Sequence, residues 1–339
     1  MEGLHLKKPL LIAAKLTVTI VVFWWVIHKL EDTPGGLKSL WITARAADAS
    51  GLLSGLGMFI VLIALGVCRW QILLRVQGIL ISNDRVAWIA AVGQFFNAFL
   101  IGATGGDVLK AWYVAEAAPD RKPQAILSIA VDRLIGVLGL FTLASVCVLF
   151  HLPVLWDDDQ TRPLAILVLA SPVVAFLLIG ITAQRRRFAT KSWWQTLWRL
   201  VPGKKLMSTL SESYDVYGKH PGALFMALLL LIGVHVCAVL AAWFVGGAIN
   251  IEGVGLASYF VYCPLINVFA SIPVTVGGLG LREAAFKFFF SKQGVPDPQS
   301  FALSLLFYAG ALVISLACGL IYLIGKPKSP PLNPPAVRS

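Results

Sequence analysis

Charge is scarce in this chain. Only 13% of its 339 residues are Asp, Glu, Lys or Arg, against roughly 25% in an average globular protein. Apolar residues fill the gap at 58%, and the mean hydropathy is +0.80. A soluble fold with so little charge could not cover its own surface. The balance excludes a soluble enzyme and a disordered chain. Acid is scarcer than base, 17 residues against 28, which leaves a net charge of +11. The five cysteines, Cys68, Cys147, Cys237, Cys263 and Cys318, form no CxxC and all lie in apolar runs. That excludes a disulfide scaffold or a zinc site and makes them small packing residues. No HExxH, Walker A, GxSxG or N-glycosylation pattern occurs, so no cofactor or metal is expected. Lys7 and Lys8 precede an apolar run without a small-residue cleavage site, so this run is expected to stay as an anchor.

What is present is long apolar sequence. A spanning helix needs about 20 mostly apolar residues. Six stretches qualify: 10–27, 51–74, 124–150, 163–183, 223–250 and 300–325. Two more regions, 86–117 and 256–291, are each broken by a Gly-Gly pair with polar neighbours. In the first, Asn97 precedes Gly105-Gly106-Asp107 and Lys110 follows. In the second, Asn267 and Pro273 precede Gly277-Gly278, and Arg282-Glu283 follow. Paired Gly/Pro-interrupted segments in the two halves of a membrane chain point to a transport site.

Charge placement sets the topology. Segment 184–222 holds eight Lys/Arg against Glu212 and Asp215, and 151–162 holds Asp157, Asp158 and Asp159 against Arg162. The N-terminus, loop 69–85 and the tail are also basic. Cytoplasmic loops carry the Lys/Arg excess. Counting each broken region as one span puts 184–222 outside and breaks that rule. Counting each as a re-entrant hairpin makes every loop agree, with both termini cytoplasmic. The expected fold is therefore all-α: six full transmembrane helices plus two opposed re-entrant helical hairpins, about eight membrane segments, arranged like an inverted repeat. Residues 1–325 form a single membrane domain and 326–339 a short Pro-rich tail. The basic charge faces anionic lipid headgroups, so nucleic acid is not a partner. Trp193, Trp194 and Trp198 place 184–222 at the interface.

Charge within a span costs about 2.5–3.5 kcal/mol on insertion scales, so it marks function or a tight pair. Asp132 and Arg133 lie about 12–14 Å into the 124–150 span, at 1.5 Å per residue. Sequence neighbours do not face each other on a helix, so each needs its own partner: Lys110 or Arg282 for Asp132, and Asp107 or Glu283 for Arg133. Glycines at a half-helix start allow close approach, and the helix N-terminus favours an anion. The candidate substrate-binding set is Asn97, Gly105, Gly106, Asp107, Lys110, Asp132, Arg133, Pro273, Gly277, Gly278, Arg282 and Glu283. The cations suit a phosphate headgroup. The carboxylates balance them, bind a cationic headgroup part or carry protons. The plain alternative is internal ion pairing alone.

At these residues the sequence resembles the lysylphosphatidylglycerol synthase transmembrane family, the flippase-like region of MprF-type proteins. Three ordered motifs carry the resemblance. The first comprises Phe95, Asn97, Leu100, Gly102, Gly105, Gly106, Asp107 and Lys110. The second comprises Ser128, Asp132, Arg133 and Gly136. The third comprises Pro273, Gly277, Gly278, Gly280, Arg282 and Glu283. Ile101 stands where the family pattern has Pro, and Lys110 where it has Arg, which keeps charge but loses the bidentate fork. The resemblance implies a lipid-handling protein of a bacterial-type plasma (inner) membrane. Its partners would be membrane lipids with an anionic or phosphate-bearing headgroup, and a lipid-modifying enzyme is a further possible partner. The tail is short, so the chain is expected to lack the synthase domain and to be no lysyl transferase. The expected function is translocation of a phospholipid or lipid-linked phosphate between leaflets. The rivals are an intramembrane transferase on lipid-linked substrates and a non-catalytic scaffold for a lipid-modifying enzyme. The lipid, the energy source and the oligomer stay open.

Overall fold

The computed structural model describes residues 41–99 except 44, then 105–150, 161–183, 216–270 and 281–325, with Trp156, Asp159 and Pro327 besides. The expected first span 10–27, most of the basic segment 184–222 and both glycine-bearing tips, 100–104 and 271–280, lie outside them. Among the described residues every regular element is helical. The helices are α1 (Ala49–Val76), α2 (Asn83–Phe99), α3 (Gly105–Ala117), α4 (Lys122–Phe150), α5 (Arg162–Ala183), α6 (Pro221–Ala248), α7 (Leu256–Ala270), α8 (Leu281–Ser291) and α9 (Asp297–Ile324).

Four are long and apolar enough to cross a membrane by length and composition: α1, α4 with its preceding turn, α6 and α9. Helix α5 covers the expected 163–183 run, and its Arg162–Val174 portion is apolar. Their outward faces carry large exposed apolar side chains, such as Phe150, Leu177, Phe225 and Ile324. In water such a surface would drive aggregation; here the lipid tails cover it. The chain is a helical membrane protein.

Local chemistry sets the helix ends. The Asp48 carboxylate caps α1 by accepting from the Gly51 amide at 2.9 Å, which satisfies one of the four orphan donors. The other end of α1 turns at Gly78, with φ +69°. A side chain there would strain the backbone and meet the Arg121 guanidinium. Pro221 opens α6, and a proline ends the segment before α9; proline is tolerated where no intrahelical N–H bond is due.

Helices α1 and α6 pack antiparallel along their whole lengths. The Asp48 amide donates to the Ala248 carbonyl at 2.8 Å, Gly55 faces Ala241 and Val245, Gly233 faces Leu65, and the Tyr217 hydroxyl donates to the Leu73 carbonyl at 3.2 Å. Small residues at the seam let the backbones approach, which is how helices associate in lipid. Helix α4 runs parallel to α6, with Gly139 against Leu231.

The four short helices form two packed pairs, α2 with α3 and α7 with α8. At 1.5 Å per residue their described portions span about 25, 20, 22 and 16 Å, each less than the ~30 Å hydrocarbon core. The α2–α3 pair begins and ends at the Gln77 end of the bundle. Asn83 accepts from Arg75 at 3.0 Å, and Arg121, just after α3, donates to the Gln77 carbonyl at 2.7 Å. The α7–α8 pair begins and ends at the Ala248 end. Gln293 donates to the Tyr262 hydroxyl at 2.7 Å, and Tyr259 meets Phe290 with ring centroids 5.0 Å apart. Each pair has its own aromatic core. Trp70, Trp88, Phe95, Phe96 and Phe99 lie around the first, and Tyr259, Tyr262, Phe286, Phe289 and Phe290 around the second.

Candidate functional site

The α2–α3 pair is held tip-first by close backbone contact. A Cβ on Gly106 would overlap the Gly93 carbonyl oxygen and the Asn97 amide. Glycine here serves the approach of two helices, where the sequence suggested the approach of a ligand. Asn97 then caps the start of α3. The Asp107 amide donates to Asn97 Oδ1 at 3.2 Å, and Asn97 Nδ2 donates to Asp107 Oδ1 at 3.1 Å. One orphan N–H of the half-helix is therefore already satisfied.

With the carboxylate so fixed, Asp107 receives Arg133 from α4 in a fork: Nε to Oδ2 at 2.7 Å and Nη2 to Oδ1 at 2.8 Å. Bidentate charged pairs are the strong kind. The Asp107 side chain is 16% exposed but Arg133 is 56% exposed, so the guanidinium lies at the rim. One residue earlier, Asp132 points another way, as adjacent helix positions must. It binds Arg69 of α1 at 2.9 Å and lies 3.9 Å from the Lys110 ammonium. The expected partner Lys110 is thus present, but Arg69 is the nearer one.

Arg69 corrects the sequence reading, which counted it in a loop over 69–85. Helix α1 continues to Val76, and Arg69 is 9% exposed. The signal was there: Trp70, Ile72, Leu73 and Leu74 carry the apolar run past Arg69. Trp70 was missed too. It is fully buried, its Nε1 donates to Ser128 Oγ at 3.1 Å, and its ring carries Lys110 Nζ 3.8 Å from the centroid.

These groups surround a cavity of about 230 Å³ lined by Arg69, Asn97, Asp107, Lys110, Asp132 and Arg133, with Gln94 and apolar residues. A polar space of that size has room for several waters and for a phosphate. It lies at mid-height. Leu62 and Ile63, at the middle of α1, and Val234, at the middle of α6, are in its wall.

Arg282 and Glu283 do not line this cavity. At the start of α8 they bond each other, Arg282 Nη2 to Glu283 Oε1 at 2.8 Å. Ser304 of α9 closes a triangle, accepting from Arg282 Nε at 3.3 Å and donating to Glu283 Oε1 at 3.0 Å. Tyr308 covers the guanidinium at 4.0 Å. Neighbouring residues can meet here because both lie in the first turn of a helix, where long side chains fold back. The set splits into a cavity cluster and a closed cluster on α9. Pro273, Gly277 and Gly278 lie outside the described residues. Gly105 opens α3 beside Gly106.

The comparisons with known proteins identify a membrane-protein family. The model of the lysylphosphatidylglycerol synthase TM region matches residues 12–319. A UPF0104 membrane protein of Pyrococcus horikoshii is 22% identical over 179 residues, 52% of this chain. That stretch spans 49% of the relative, so about half of its length is matched. The family match takes in all nine described helices save the last few residues of α9, and with it both short-helix pairs and the charged cavity: the chain belongs to the lysylphosphatidylglycerol synthase transmembrane-region family.

Proposed function

We propose that this protein moves a phosphate-bearing lipid between the leaflets of a bacterial-type inner membrane. The observation that carries the reading is the charged cavity at mid-height of an apolar bundle. Polar volume at that depth is costly in lipid and has a use when a polar headgroup must pass it. Substrate contact falls to Lys110 and Arg133, while Asn97, Gly106, Asp107, Asp132 and Arg69 position them. The acyl chains stay in the bilayer beside the half-exposed Arg133. The α2–α3 and α7–α8 pairs serve as opposed re-entrant hairpins among six full spans, in one membrane domain over 1–325, with both termini cytoplasmic. Arg282 and Glu283 hold the second hairpin to α9.

The test is lipid exchange in vesicles containing the purified chain. Wild type should exchange labelled lipid without chemical change, and Arg133→Gln, at the half-exposed rim, should lower the rate at least tenfold with expression near normal. Exchange no faster than in protein-free vesicles overturns the proposal. A new lipid product would instead identify a transferase.

A further inference from the structure

We infer that the cavity selects a lipid whose headgroup is a phosphodiester with one negative charge and no cationic group. The inference rests on the translocation reading above and adds the substrate class. It comes from the charge balance of the lining. Three cations, Arg69, Lys110 and Arg133, face two carboxylates, Asp107 and Asp132, which leaves one positive charge among the described residues. The position of that surplus is specific. Asp107 is forked by Arg133, and Asp132 is hydrogen-bonded by Arg69. Lys110 has only a 3.9 Å ion pair and the face of Trp70.

Its side chain is 12% exposed. Among the described residues no acceptor lies within hydrogen-bond distance of its ammonium. A buried charge is tolerated when it is paired and hydrogen-bonded, and Lys110 is short of the second. The Trp70 ring, pinned through Ser128, holds the ammonium at the cavity wall. One phosphodiester supplies one charge and the missing acceptor oxygens. A zwitterionic headgroup brings an ammonium that finds both carboxylates engaged, and an aminoacylated lipid brings more. A phosphate monoester brings up to two charges, with a second pKa near 6. Gln94, whose Nε2 donates to Ser315 at 3.2 Å, lines the same cavity with an uncharged amide, which suits a neutral, hydroxylated remainder.

Phosphatidylglycerol and a polyprenyl-phosphate sugar share this chemistry, so both serve as probes. The full-length chain is reconstituted in phosphatidylcholine vesicles with trace labelled phosphatidylglycerol, polyprenyl-phosphate glucose, phosphatidylethanolamine, phosphatidic acid or lysylphosphatidylglycerol. At least one of the first two should exchange tenfold or more faster than the last three, and which one does so identifies the lipid backbone. Lys110→Gln should bring that rate down to the phosphatidylethanolamine rate, and Lys110→Arg should restore the preference. Equal rates for all lipids in wild type overturn the inference while leaving translocation standing, and this comparison needs no variant to fold. A preference for lysylphosphatidylglycerol, or one that survives Lys110→Gln, also overturns it. No exchange of any lipid overturns the transport reading itself.

Discussion

Arg69 and Asp132 are both about one-tenth exposed and bind at 2.9 Å across α1 and α4. Neither can be removed alone at small cost, because the survivor is a buried charge without its partner. Arg69→Met should therefore destabilise the protein by about 3–5 kcal/mol. Replacing both, as Arg69→Met with Asp132→Leu, should recover only part of the loss, since an apolar pair avoids the desolvation penalty of the two charges but takes from Lys110 its ion-pair partner. Thermal unfolding in detergent reads both values. A double variant no better than the single would show that the pair does not act as a unit. Arg133 behaves differently: its fork on Asp107 is at the rim and its side chain is more than half exposed. That leaves its remaining N–H groups open to the rim, where they can reach a phosphate while the fork on Asp107 stays in place.

The short helices are the unit at the next scale. Helices α2 and α3 contribute little crossing length, but their close approach puts Asn97, Asp107 and Lys110 on one wall. Gly106 is the contact that allows it. Gly106→Ala should push α3 off α2, costing about 1–3 kcal/mol as an overpacked contact, and lipid exchange should fall with it. Gly57 is a matched control because a Cβ there meets nothing within 4 Å. Gly57→Ala should leave the melting temperature unchanged or raise it, as alanine favours a helix. Equal melting temperatures for the Gly106→Ala and Gly57→Ala proteins would refute the role of close packing. The α7–α8 pair is built otherwise, on stacked rings such as Tyr262 and Phe289, 5.3 Å apart. Its Arg282 and Glu283 bond each other and Ser304, and its Lys287 pairs with Asp297 at 2.7 Å. The two pairs are therefore alike in placement and unlike in chemistry.

At the scale of the whole molecule, the antiparallel run of α1 against α6 defines two ends. Gln77, Asn83, Arg121 and Lys219 gather at one, and Asp48, Asn250 and Gln293 at the other. In intact cells, cysteines placed at Asn83 and Arg121 should resist an impermeant thiol reagent, and cysteines at Asn250 and Gln293 should react. Labelling of Asn83 and Arg121 from opposite faces would show that α2–α3 crosses the membrane instead of returning.

The residues alone determined the solvent, the helical class and the two special regions. Scarce charge and long apolar runs admit only lipid, and lipid admits only a backbone that bonds within itself. The motif residues Asn97, Asp107, Lys110, Asp132 and Arg133 were legible for the same reason, since each is a polar residue where polarity costs energy. Their partners were not. Arg69 is 63 residues from Asp132, and a basic residue near a helix end reads as a loop charge until the packing of α1 on α4 buries it. Trp70 reads as one aromatic among many until it lies under Lys110. Nor did spacing separate Arg282 and Glu283 from the cavity; the contact of α8 with α9 did. Which charges are matched and which one is left over is a matter of distances between helices. That is the property of this protein that only its tertiary structure decided.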